Sequence, residues 1–223
     1  MAQIKGLIFD LDGVIVDTAG YHFKAWRKMA NELGFDFNEH QNEQLKGVSR
    51  RQSIELILNW GGKTLPEAEI ERFMTLKNTW YLEFIEQLAP ANVLPGADVF
   101  LRESKAASYR IALGSASKNS RMILDKLELT DLFDAIIDGN IATESKPNPQ
   151  VFLKGADALG LTPNQSLVFE DAIAGIKAAH NGGMLAVGIG NPKILTEAEV
   201  VYPGLNNLSI STVINDLETI TKA

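Results

Sequence analysis

The sequence predicts an α/β protein: a Rossmann-like parallel sheet core with an inserted α-helical cap domain. Three observations carry that expectation. From residue 109 onward, short apolar runs of strand length alternate with segments of helical period, the pattern of a parallel sheet covered by helices. Another such run, residues 4 to 9, opens the chain. Between the two, residues 20 to 88 show helical period and no clear strand. The first strand belongs with the later ones. The expected division is therefore a core of residues 1–17 and 91–223 and a cap of residues 18–90, joined through "VIVDTAG" and "APANV".

The elements follow in order. Leu7, Ile8 and Phe9 form an unbroken apolar run, as a strand buried on both faces requires. Phe23, Trp26, Ala30 and Leu33 fall at helical spacing, and Gly34 stands where that helix would stop. Ser49 and Gln52 have capping-box spacing ahead of the stripe Ile54, Ile57 and Leu58. Thr64, Pro66 and Glu67 open a longer helix, whose stripe is Ile70, Phe73, Met74, Tyr81, Phe84, Ile85 and Leu88. Lys77 takes the remaining place on that stripe, where a lysine can snorkel or point into a cleft. "APANVLPG" reads as a loop with two prolines. Strands are then expected at 109–115, 133–138, 166–171 and 184–190, helices after the first three, and a last helix over roughly 211–221.

Composition narrows the function. The 223 residues are 45% hydrophobic, enough for a sizeable core. A net charge of −7 argues against nucleic acid or an anionic membrane as partner. The absence of cysteine excludes a disulfide framework. "MAQIKGLIF" is too short for a signal peptide, and no stretch approaches transmembrane length. The expectation is a cytoplasmic monomer that acts on small molecules, with no nucleic-acid and no membrane partner.

In open α/β sheets, ligands bind beyond the carboxyl ends of the strands. Asp10 and Asp12 follow the first strand, and Ser115, Ala116 and Ser117 follow the second. Lys146 comes after the third, before Pro147, and Glu170 and Asp171 end the fourth. On adjacent strands these groups converge on one edge. Clustered carboxylates are hard oxygen ligands that attract Mg²⁺. Asp10 and Asp12, two apart, can lean to the same side, so one can attack phosphorus while the other carries a proton. Lys146 and the Ser115 hydroxyl can hold phosphoryl oxygens. With the metal, the lysine offsets the repulsion between an anionic nucleophile and an anionic phosphate. Each feature alone is more often a turn or a helix start. Chance rarely produces all four in order at strand ends.

"FDLDGVIVD", the serine of "LGS", "SKPNP" and "FEDA" resemble the four motifs of the haloacid dehalogenase superfamily. The resemblance implies Asp10 as the nucleophile of an aspartyl phosphate and Asp12 as general acid/base. It implies Mg²⁺ on the Asp10 side chain, the Asp12 backbone carbonyl, and Glu170 or Asp171. Ser115 and Lys146 would bind the transferring phosphoryl group. "TAGYHFKAWRKMA", "NEQLKGVSR" and "SASKN" are similar to the β-phosphoglucomutase family within that superfamily. That likeness implies hexose phosphate substrates, β-glucose 1-phosphate and glucose 6-phosphate, exchanged through a β-glucose 1,6-bisphosphate intermediate. It places Thr18 and His22 near Asp12 and the hinge, and Lys46, Gly47, Val48 and Arg50 in a substrate loop. Ser117, Lys118 and Asn119 would hold the distal phosphate with Arg50, and Lys77 would face the site. "DGNIATES" departs from the family's form.

A mutase with a bisphosphate intermediate needs two phosphate sites, and Arg50 and Lys118 can supply the second. It must also keep water from the phosphoenzyme, which a closing cap can do. Three rivals remain. A sugar-phosphate phosphatase would share every core residue. A phosphonate hydrolase would need a cap lysine, Lys46 or Lys77, as nucleophile. A non-catalytic binder would have no need of the Asp10, Asp12, Lys146 and Asp171 set.

Overall fold

The computed structural model describes residues 3–222. Met1, Ala2 and Ala223, the outer ends of the expected core segments, lie outside the described residues. Six parallel strands form one sheet: β1 (Gly6–Phe9), β2 (Arg110–Gly114), β3 (Ala135–Ile137), β4 (Ser166–Glu170), β5 (Leu185–Ile189) and β6 (Val200–Tyr202). Their order is β3-β2-β1-β4-β5-β6, so the winding reverses between β1 and β4. Phe9 lies level with Leu113 on one side and Phe169 on the other. Asp10, Gly114 and Glu170 therefore emerge side by side, one strand spacing apart, at the switch point where such sheets bind ligands.

The alternation of side chains along β1 explains its wholly apolar run. Leu7 and Phe9 join one core cluster and Ile8 joins the other. Helices α7 (Gln150–Ala158) and α8 (Ile173–Asn181) cover the Ile8 face. Helices α5 (Ala97–Ala106), α6 (Ser120–Lys126) and α9 (Ile210–Lys222) cover the opposite one.

Four helices make the cap: α1 (Ala19–Glu32), α2 (Glu39–Glu43), α3 (Arg50–Trp60) and α4 (Glu67–Ile85). They enclose a separate cluster that includes Trp26, Met29, Phe37, Ile54, Ile57 and Phe73. The cap thus has a hydrophobic cluster of its own, while Ala25 of α1 and Tyr81 and Ile85 of α4 join the sheet's cluster. Gly34, after α1, has φ +83°, a left-handed value that glycine adopts without a steric penalty. The Ser49 hydroxyl accepts from the Gln52 N–H at 3.4 Å and caps α3. The Ser49 N–H is used differently from a capping box: it donates to Ser145 Oγ of the core at 3.0 Å. The two chain segments that enter and leave the cap pair with each other. Val16 bridges Val93 in antiparallel sense, and the Leu94 N–H donates to the Ile15 carbonyl at 2.9 Å. Among the described residues, no helix is long and apolar enough to cross a membrane.

The structure adds two core elements that the sequence pattern does not predict. Helix α5 starts directly behind Gly96, whose φ of +84° is a left-handed value that glycine adopts without a steric penalty. The Pro95-Gly96 turn signal hides the short stripe Ala97, Phe100 and Leu101 that follows. Strand β6 is a three-residue, half-buried edge strand, too short to show a period.

Helix α5 is fixed to the sheet by aromatic packing. The Phe9 and Phe169 rings stack at 4.6 Å, and Phe100 meets Phe169 edge-on at 5.3 Å. Phe100 is fully buried. Phe100→Ala should cost about 3–5 kcal/mol of stability, because the rigid rings around it cannot close the cavity. Urea unfolding followed by far-UV circular dichroism should show a lower midpoint with an unchanged slope. A midpoint equal to wild type would show that α5 is held by other contacts.

Candidate active site

A cleft of about 460 Å³ lies between the cap and the carboxyl edge of the sheet. At its floor, Asp10, Glu170 and Asp171 each bring a carboxylate oxygen within 4.8 Å of the others. The Lys146 ammonium donates to Asp10 Oδ1 at 2.5 Å and to Glu170 Oε2 at 2.7 Å. Burial works against its charge, but the two carboxylates outweigh burial and raise its pKa. Burial pushes the Glu170 carboxyl up; Lys146 opposes this, and Asp10 and Asp171 reinforce it. Asp171 is also pushed up by burial, to about 6, against the pull of Lys46. Two ammonium groups, Lys146 and a Lys46 that is shared with Glu43, do not balance three crowded acids.

Two glycines leave room for this cluster. Gly13 has φ +79°, and a Cβ there would overlap the Asp171 carboxylate. A Cβ at Gly175, in α8, would overlap the Glu170 carboxyl group. The site is thus a set of hard oxygen donors with excess negative charge in a cradle that fits a small divalent cation such as Mg²⁺.

Asp12 stands beside this group, on the far side of one residue. Burial raises its pKa to about 7; a hydrogen bond from Thr18 opposes the rise, and Asp10 and Asp171 add to it. The Thr18 hydroxyl donates to Asp12 Oδ1, and the Tyr81 hydroxyl lies 3.0 Å from Thr18 Oγ1.

The cap supplies the roof. Lys77 does not snorkel: it is 2% exposed, with its ammonium over the rings of Trp26 and Tyr81. Its Nζ lies 2.8 Å from His22 Nδ1. Burial first, then Arg50, drives Lys77 well below the ordinary lysine value. Burial, Lys77 and Arg50 do the same to His22. Lys46 reaches from the cap to Asp171 Oδ2 at 3.1 Å, and Glu43 is its second partner at 3.1 Å. Burial opposes the Lys46 charge, but these two acids raise its pKa overall. Gly47 and Val48 line the cleft beside it. Arg50 Nη2 donates to Asn78 Oδ1 at 2.7 Å, and burial lowers its pKa.

The loop after β2 forms a wall. Ser115 Oγ accepts from the Ser117 N–H at 3.1 Å, and Ser117 Oγ accepts from the Asn119 N–H at 3.2 Å. Ala116 lines the wall and Lys118 stands exposed at the rim. The divergent "DGN" start of the loop after β3 braces this wall. The Gly139 N–H donates to the Ser117 carbonyl at 3.1 Å, and Asn140 Nδ2 to the Lys118 carbonyl at 3.1 Å.

Every site residue expected from the sequence is at this cleft or directly behind it. Thr18, Lys146 and Glu170 are the ones behind it: Thr18 is bonded to Asp12, Lys146 to Asp10, and Glu170 to Lys146. Sequence reasoning passed over several others. Trp26, Asn42 and Ser53 also line the cleft, and Tyr81 connects to Asp12 through Thr18. Tyr81 and Trp26 were legible only as apolar stripe positions, since a stripe does not tell core from cleft. Asn42 and Ser53 carry no local signal.

Residues 7–189 match the model of the haloacid dehalogenase-like hydrolases, and the chain belongs to that family. Particular relatives narrow the likeness. The chain is 39% identical to the β-phosphoglucomutase of Bacillus subtilis (strain 168) over 217 residues, 96% of each protein. A crystal structure of β-phosphoglucomutase (pgmB) from Clostridium difficile matches with a TM-score of 0.95 at 38% identity, covering 99% of this chain and 100% of that one. The fructose-1-phosphate phosphatase YqaB of Escherichia coli (strain K12) is 32% identical over 84% of this chain and 97% of its own length.

Gly175→Ala tests the acid cradle. Displacing Glu170 should weaken Mg²⁺ binding roughly 10- to 100-fold, the usual effect of disturbing the support of a metal ligand. Gly20→Ala is the control, since a Cβ there meets nothing within 4 Å. Calorimetric titration with Mg²⁺ should separate the two variants. Equal affinities would show that Glu170 does not set the binding.

Proposed function

We propose that this chain is a β-phosphoglucomutase. It interconverts β-D-glucose 1-phosphate and D-glucose 6-phosphate through an aspartyl-phosphate enzyme and β-glucose 1,6-bisphosphate. The observation that carries this reading is Arg50. The cap holds it over the cleft, its hydrogen bond goes to a neutral carboxamide, and among the described residues it pairs with no carboxylate. A partly buried guanidinium without a counter-ion is suited to an anion. The sheet edge provides one phosphate site at Asp10. Arg50, with Ser117, Lys118 and Asn119, provides a second in the same cleft.

Asp10 attacks phosphorus and carries the phosphoryl group. Lys146 and Ser115 hold its oxygens. Mg²⁺, held by Asp10, Glu170, Asp171 and the Asp12 backbone carbonyl, supplies neutralising charge when bound. Asp12 takes the proton of the attacking sugar hydroxyl and returns one to the leaving oxygen. A pKa of about 7 suits both duties near neutrality. Thr18 orients Asp12. His22 and Lys77 face the sugar from the roof, with Lys46, Gly47 and Val48 closing over it. Residues 18–90 move as the closing unit, hinged on the paired linkers at Val16 and Val93. One chain contains the whole site, so a monomer suffices. The substrates are charged and do not cross membranes unaided, which supports a cytoplasmic reaction.

The test supplies β-glucose 1-phosphate, Mg²⁺ and a trace of bisphosphate. Glucose 6-phosphate should form with little free phosphate, and chelation should stop the reaction until Mg²⁺ is returned. Asp10→Asn should keep the fold and lower turnover by roughly 10⁴-fold or more. Free phosphate as the main product would make the protein a sugar-phosphate phosphatase, the activity that the Escherichia coli relative is named for. Substantial turnover by Asp10→Asn would sink the nucleophile assignment.

A further inference from the structure

Several polar ties cross from cap to core, among them Lys46 to Asp171, the Ser49 N–H to Ser145, and Asn119 to Asn78. The third differs from the others because one oxygen serves two donors from two directions. Asn78 Oδ1, on α4, accepts Arg50 Nη2 at 2.7 Å from the cap and Asn119 Nδ2 at 3.0 Å from the core. Donor chemistry fixes both carboxamides. A guanidinium only donates, so Asn78 must turn its oxygen toward Arg50, and Asn119 must then present its NH₂ group to that same oxygen. The Asn119 backbone is already held by Ser117 Oγ. What remained free was the direction of its side chain, and Asn78 sets it.

Two donors converging on one oxygen is the arrangement that a phosphate oxygen accepts. The charge of Asn78 matters as much as its shape. A carboxylate in its place would neutralise Arg50, whereas an amide holds the guanidinium and leaves its charge available.

We infer that Asn78 is a positioning residue, whose carboxamide oxygen holds Arg50 of the cap and Asn119 of the core converged as a ready-made subsite for the phosphate remote from Asp10. This inference deepens the mutase reading and rests on its assignment of Arg50 to the distal phosphate. Asn78 itself takes no part in the chemistry at Asp10.

The test uses two phosphoryl donors. β-Glucose 1,6-bisphosphate carries a remote phosphate, and acetyl phosphate has a single phosphoryl group with nothing beyond it. Asn78→Asp is isosteric and adds the competing charge. It should raise KM for the bisphosphate roughly 10- to 100-fold, the scale of one charge-assisted hydrogen bond. Asn78→Ala removes the acceptor and should raise KM by about 3- to 10-fold. In both variants, phosphoenzyme formation from acetyl phosphate should stay within about twofold of wild type, because that donor never uses the subsite. If acetyl phosphate reactivity falls as far as the bisphosphate reaction, Asn78 is only a structural residue and the inference is overturned. An unchanged KM in both variants overturns it as well. Arg50→Ala, measured alongside, separates the two levels. If Arg50→Ala raises KM and the Asn78 variants do not, only the inference about Asn78 falls. If Arg50→Ala also leaves KM unchanged, the distal-phosphate reading falls with it.

Discussion

Lys146 stands between Asp10 and Glu170 with its ammonium 2.5 and 2.7 Å from their carboxylates, and all three side chains are almost entirely removed from water. Without it, two acids would sit uncompensated at the carboxyl edge of the sheet. Removing one partner from such a buried set costs about 3–5 kcal/mol, because a stranded charge remains. The lysine comes from the loop after β3 and reaches past β2 to the central pair β1 and β4. The acids can therefore sit together only after the sheet has formed. Its charge is also insufficient, which leaves the cluster receptive to a further cation.

The rest of the molecule divides around that constraint. The core holds reactive groups rigidly, since Asp10, Ser115 and Asp171 directly follow strands whose register is fixed by both neighbours. Gly13 and Gly175 keep side-chain volume out of the space that the acids need. The cap is only partly separate. It has its own apolar cluster and gives Ala25, Tyr81 and Ile85 to the core's, while near the cleft it meets the core through polar ties that include Lys46 to Asp171, Ser49 to Ser145 and Asn78 to Asn119. Polar ties in contact with solvent are individually weak. A seam made of them can open and close, which suits a cleft that must exclude water and still release product.

Roof and floor use burial to opposite electrostatic ends. At the floor, acids are pushed up toward neutrality and held by ammonium groups. At the roof, Lys77 and His22 are pushed down, with aromatic faces around the ammonium instead of carboxylates. Burial thus biases Lys77 and His22 toward their neutral forms, and Arg50 is the roof group that keeps positive charge for an anionic ligand. Such a roof is costly in stability, and its retention fits a part in function.

The sequence by itself determined the layout of the core and the identity of its reactive groups. The run Leu7–Phe9 reads as a strand buried on both faces. The acids behind it are local chemistry at a strand end, readable without knowing any neighbour. Gly34 and Ser49 marked helix boundaries for equally local reasons. Helix α5 escaped because the turn at Pro95-Gly96 masks its short stripe, and β6 because three residues carry no period. Only the tertiary structure decided what depends on pairing. It set the strand order that brings Lys146 to Asp10, and it turned Lys77 inward, where the stripe left both directions open. It also gave Tyr81 and Asn78 their partners. Tyr81 looks like any apolar stripe residue until Thr18 lies beneath it, and Asn78 like any helix surface residue until Arg50 and Asn119 close on it. Period and residue type are written along the chain, but which distant groups share a hydrogen bond is settled only when the helices and strands pack.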